Sequence, residues 1–142
     1  MSFGIAIPPP SSSSNCIAFA GWPSICLDTA REALRIDGTV TDDRLSETLY
    51  NAAYAITSEL LEWRKQQAED VFDDARLQFL FRRAVHYYAH AELLERYRNL
   101  DVAKYGEKNY ESVADAAGDS RRNSRWAIAD ILAKTRLTVW VL

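Results

Sequence analysis

The sequence predicts an all-α protein: a bundle of about four helices, with an extended N-terminal arm and a C-terminal β-strand that pairs with a partner chain. Three observations predict it. Apolar residues recur at three- and four-residue steps from residue 28 to residue 134. The stretch "IPPPSSSSN" near the start excludes helix and core alike. The last seven residues, "RLTVWVL", alternate as a strand does: Leu137, Val139 and Val141 share one side, Thr138, Trp140 and Leu142 the other.

The 142 residues are expected to fold as one domain with three parts: an arm at 1–27, a helical domain at 28–134 and a terminal strand at 135–142. Residues 16–27, "CIAFAGWPSICL", are apolar but broken by Gly21 and Pro23, so they fold onto the protein's own core or onto a neighbour. The first helix is expected from Asp28, as N-cap, to Ile36, with Gly38 ending it in a left-handed conformation. The second begins at Thr41, with Asp42 and Asp43 complementing the helix dipole. Its stripe Leu45, Leu49, Ala52, Ala53, Ile56, Leu60 and Trp63 carries it to about residue 68. A third helix spans 73–99 on Leu77, Leu80, Ala84, Ala91 and Leu94, widened by Phe79, Phe81 and Leu93. After a loop at 101–106, a fourth runs from 107 to 134, with a kink expected in the polar stretch 118–125.

The net charge is −3, which excludes general electrostatic binding of nucleic acid by the whole chain. Its distribution is uneven. Residues 1–27 carry no charge, 28–119 carry a balance of −7, and 120–142 a balance of +4. Arg121, Arg122 and Arg125 form the basic cluster, as candidate contacts with DNA or with a neighbouring subunit. Cys16 and Cys26, without metal-ligand spacing, read as two reduced thiols of a cytosolic protein. No apolar run approaches the length of a membrane span, so no membrane partner is expected.

No catalytic set emerges, and no cofactor motif. His86 and His90 stand one helical turn apart, a spacing two metal ligands share. With Arg82 and Arg83 a turn away and no third ligand, they read as hydrogen-bonded helix or interface histidines. The stretch "REALRIDGTVTDDRL" invites a helix-turn-helix reading, giving a DNA-binding regulator at 28–68 as the alternative function. The presumptive reading helix opens with Asp42 and Asp43, which repel phosphate.

A lone strand is marginal in water, so the segment Leu137, Thr138, Val139, Trp140, Val141 and Leu142 is expected to add to an edge offered by another chain. A helical body with two outward-reaching termini is the layout of an assembly component. Long ordered blocks support this: "GWPSICLDTAREALRIDGTVTDDRL", "WRKQQAED", "LFRRAVHYYAHAELLERYRN", "SRWAIADIL" and "TRLTVWVL". Through them the sequence resembles the head completion (head stabilisation) protein L family of contractile-tailed bacteriophages, from about Gly21 to Leu142. The resemblance implies a virion protein at the head–tail junction, assembled in the host cytoplasm after DNA packaging. It implies a dodecameric connector ring under the portal protein, built from neighbouring copies. The ring's other partners would be a tail completion or terminator protein and the packaged double-stranded DNA. It implies no catalytic residues, metal or cofactor.

Overall fold

The computed structural model describes residues 15–133 apart from Gly106, with side chains undescribed at 97–113. The terminal strand at 136–142 therefore lies outside the described residues, as does most of the arm. The body is helical: α1 (Leu27–Leu34), α2 (Asp42–Glu59), α3 (Leu61–Lys65), α4 (Ala75–Tyr105) and α5 (Glu107–Ile131). A short 3-10 turn, Val71–Asp73, precedes α4.

Two minimal strands, β1 (Cys16–Ile17) and β2 (Ile25–Cys26), form an antiparallel ladder with Cys16 opposite Cys26 and Ile17 opposite Ile25. The sequence reading contained no strand here. Its period-2 signal is two residues long, too short to stand out. The register sets the cysteines side by side, and they form a disulfide. This corrects the expectation of free thiols: two cysteines ten residues apart face each other once the hairpin closes. At the hairpin's turn, Gly21 takes φ 85°, the left-handed value that a Cβ would strain. Trp22 N–H donates to the Phe19 carbonyl across that turn at 3.0 Å.

Whether residues 16–27 pack inward or outward is settled for this chain. Ile25 and Leu27 are buried in the main core. Trp22 enters an aromatic cluster, its ring 5.3 Å from Phe81 and 5.7 Å from Phe72, with Trp63 5.9 Å from Phe72.

The helix ends follow local chemistry. The N-cap of α1 falls two residues earlier than expected, at Cys26, and Asp28 sits in the helix's first turn. Arg35, not Gly38, supplies the left-handed C-cap, its N–H reaching the carbonyls of Arg31 and Glu32. Thr41 caps α2 as expected, its hydroxyl accepting from Arg44 N–H at 3.3 Å. The expected run to 68 stops at Lys65, after an interruption at Leu60. The reason is Arg64: its guanidinium donates to the carbonyls of Gly21, Ala68 and Glu69 and turns the chain back. Asp74 then caps α4 through the N–H groups of Arg76 and Leu77.

Two further expectations fail, each for its own reason. The loop at 101–106 is helix through Tyr105, because nothing between Asn99 and Gly106 breaks a helix. The kink at 118–125 is absent, and α5 is continuous. Its middle is not polar on every side. Ser120 and Ser124 are buried with Ala117 and Ala127, forming a small-residue face packed on α4. The core fills the space among α1, α2, α4 and α5, around Leu45, Leu49, Ile56, Phe81, Val85 and Ile128.

Two measurements follow. Gly118 lies within a helix with open space where a Cβ would sit. Gly118→Ala should therefore raise unfolding stability by about 0.5–1 kcal/mol in urea titration. Reducing the disulfide, or replacing both cysteines by serine, should lower stability by about 2–3 kcal/mol. In calorimetry that is a fall in Tm of about 5–10 °C.

Candidate functional site

The three arginines of the basic cluster lie on the exposed side of α5. Arg121 pairs with Glu95 of α4. Arg125 pairs with Glu59 at the end of α2 at 2.7 Å. Arg122 pairs with Asp119 at 2.5 Å, one turn earlier on its own helix, and its guanidinium stands 5.6 Å over the Trp126 ring. Two of the three therefore bridge helices, and each is already opposed by a carboxylate. Their side chains remain half exposed or more, so the pairs are solvent-screened and exchangeable. Sequence spacing offers Arg122 either Asp119 or Asp115, and the structure takes Asp119; spacing carries no signal for the two pairs that cross between helices.

His86 and His90 both turn inward from α4. His90 Nδ1 lies 2.8 Å from the Ser120 hydroxyl of α5. Its ring also meets Tyr87 edge-on at 6.4 Å. His86 is 6% exposed, and its Nε2 has no hydrogen-bond partner among the described residues. Burial, reinforced by the Arg82 cation, pulls its pKa down to about 4. Burial also lowers that of His90. Both rings are therefore neutral at pH 7. Among the described residues no group of three His, Cys, Asp or Glu side chains could hold a metal ion. Among them, no helix is long and apolar enough to cross a membrane.

At the expected helix-turn-helix corner, Arg31 of α1 donates to the carbonyls of Asp37 and Val40 and to the Asp42 carboxylate, at 2.7–2.9 Å. The corner is tied from within, and the start of α2 presents acids to solvent.

The sequence reading passed over the large exposed rings. Phe79 on α4 is 60% exposed, and Tyr50 and Tyr54 on α2 are similarly open. Phe79 was assigned to a widened core stripe. Its actual position borders a groove of about 370 Å³ between α1 and α4, lined also by Leu34, Arg82, Arg83 and His86.

The body thus defines a small helical protein whose distinctive features are surfaces and braced contacts. Residues 18–142 match the family model of the phage head completion protein (GPL). A head completion/stabilization protein of Escherichia phage P2 is 32% identical over 130 residues, covering 83% of this chain and 77% of that protein. The chain belongs to the phage head completion protein (GPL) family. No solved structure matches it.

The buried histidines generate a pH prediction. A group whose folded pKa lies below its unfolded value binds fewer protons in the native state. Its contribution is whole above pH 6.5 and is lost as pH falls from 6.5 toward 4. Stability should drop by up to about 3 kcal/mol across that window. Urea midpoints measured from pH 7.5 to pH 4 should fall, and His86→Gln should flatten the slope.

Proposed function

We propose that the protein completes the DNA-filled phage head as a structural virion component, forming a ring beneath the portal protein at the head–tail junction. Family membership over nearly the whole chain carries this reading. The ring continues the DNA channel, helps retain the packaged double-stranded DNA and offers a surface to a tail completion or terminator protein. Assembly takes place in the host cytoplasm after packaging. The role is non-enzymatic and calls for no cofactor.

In this reading the three segments have separate tasks. The helical domain is the rigid body of each ring subunit. The strand Leu137–Leu142 adds to an edge of the portal or of a neighbouring copy, with Trp140 as the aromatic anchor. The arm residues ahead of Cys16 reach outward from the stapled hairpin. Arg121, Arg122 and Arg125, repeated around a ring, form a positive band for DNA phosphates or for a neighbour's acids. Exchange of their exposed intrachain pairs costs little.

The test mixes the purified chain with portal rings from the same genome and images them by cryo-electron microscopy. A new layer of density under the portal, with matching symmetry, is expected. Bare portals and bare DNA-filled heads at saturating protein would remove the ring reading. Deleting residues 136–142 should leave the helical circular dichroism intact and abolish incorporation into virions. Trp140→Ala should weaken binding by about 2 kcal/mol or more and leave Tm nearly unchanged. A large loss of Tm would place Trp140 in the protein's own core instead.

A further inference from the structure

We propose that copies of this chain meet head to tail through two complementary surfaces: the acidic tyrosine face of α2 seats in the groove between α1 and α4 of the next copy. The proposal deepens the ring reading and rests on it.

The groove is an apolar trough with a basic side. Ala33 and Leu34 of α1 face Phe79 of α4 across it, with Arg82, Arg83 and His86 along the α4 wall. No carboxylate is among its described lining residues. Arg83 makes no ion pair among the described residues, and its guanidinium lies 4.8 Å over the Tyr87 ring. Phe79 stands out of the surface at the rim. His86, 6% exposed and with no hydrogen-bond partner for its Nε2 among the described residues, also lines the groove. An exposed phenylalanine beside an unpaired arginine is an anchor composition typical of interfaces.

The face of α2 is its counterpart. Asp43, Ser46, Glu47, Tyr50, Asn51 and Tyr54 recur at three- and four-residue steps and line one open depression of about 710 Å³. Tyr50 and Tyr54 are 56% and 62% exposed. No lysine or arginine is among the described lining residues, and Asp43 has no ion pair among the described residues. The opposite side of α2 holds Leu45, Leu49, Ala52 and Ile56 in the core, and the tyrosine face stays largely open, with Tyr50 resting one ring side on Phe19 at 5.4 Å.

Charge selects the occupant. Among the described residues Arg83 on the groove and Asp43 on the helix face make no ion pair, whereas Arg82 donates to the Ser24 carbonyl and Glu47 meets Arg96 at 3.6 Å. The two patches share no residue, so one chain carries both halves of the contact. A contact of either patch with the same patch of a second copy would set Arg83 against Arg83 or Asp43 against Asp43, which costs energy. Unlike patches paired one way, as the ring reading requires, make a heterologous contact, the kind that generates rings. A helix laid in an apolar groove, with tyrosines against a phenylalanine, is a common recognition mode.

The test is site-specific photocrosslinking. Phage lacking the protein are complemented with the full chain carrying benzoylphenylalanine in place of Phe79. Irradiated virions should yield self-crosslinked oligomers whose linked peptides join position 79 of one copy to residues 43–54 of another. Links from 79 to a different virion protein, or to the terminal segments 1–14 or 136–142, would overturn the interface while leaving head completion standing. So would the absence of a crosslink in virions that contain the chain. If the chain never enters virions, the head completion reading fails, and the interface is decided on concentrated purified protein. There, Asp43→Arg and Arg83→Glu should each lower crosslinked dimer about tenfold. Both together in one chain should restore it. Indifference to charge reversal, or no dimer at all, would overturn it.

Discussion

The close approach of α4 and α5 is the constraint on which the rest of the fold depends. Ala84, Ala117, Ser120, Ser124 and Ala127 are all buried, and none has a side chain longer than two heavy atoms. Small residues on facing helices let the backbones draw together. A serine in such a seam must find a partner, because an unsatisfied buried hydroxyl is costly. Ser124 donates to the Ala84 carbonyl at 2.8 Å, and Ser120 meets His90 at the same distance. These two bonds set the register of one long helix on the other. With that register fixed, Phe81, Val85 and Ile128 face the space that α1 and α2 must fill. A larger residue at 120 or 124 would push α5 outward and open the core beneath α2.

Arginine performs a second structural task. Arg31, Arg64 and Arg82 each donate to backbone carbonyls of a connecting segment rather than only to acids. Arg64 is the most connected, joining the hairpin turn at Gly21 to the chain after α3. Arg82 holds Ser24, the other end of the same hairpin, from α4. A planar guanidinium with five donors satisfies several carbonyls at once, which lysine cannot do. The hairpin is thus held three ways: by its disulfide, by Trp22 in the aromatic cluster, and by two arginines from the body. The excess of acids in the chain survives at the surface partly because these bases are spent inward.

Much of this was legible in the sequence, and the misses have physical causes. The buried stripe of α2 was readable residue by residue, because Leu45, Leu49, Ala52, Ala53 and Ile56 keep the 3.6-residue period without interruption. The Thr41 cap was equally plain. The hairpin was not, since its cysteines become neighbours only after Gly21 turns the chain. The stretch 118–125 misled because serine reads as polar in a pattern, although its small size suits a tight seam. Phe79 misled in the opposite sense: an aromatic ring within an apolar stripe reads as core, yet α4 carries rings on more sides than its neighbours cover. For the arginine cluster, sequence spacing offers Arg122 a local partner in Asp119 or Asp115, and Asp119 is the one it meets. The Arg121–Glu95 and Arg125–Glu59 pairs depend on tertiary packing that spacing does not encode.

A head completion protein needs a folded body and surfaces that remain open for neighbours. The two demands compete for the same apolar residues. Here they are separated by side of helix. α2 commits its aliphatic side to the core and keeps tyrosines outside; α4 commits Phe81, Val85 and Ala84 and leaves Phe79 and Tyr88 exposed. Tyrosine suits the outer role because its ring offers contact area while its hydroxyl keeps the free subunit hydrated. The internal ties from Arg31, Arg64 and Arg82 brace the segments around those helices, and in the proposed head-to-tail contact the angle between the two outer faces would set the rotation from one copy to the next. In a ring of heterologous contacts, an error in that rotation accumulates around the circle and prevents closure. In the proposed ring, rigidity of the seam between α4 and α5 would therefore bear on assembly as directly as the contact residues.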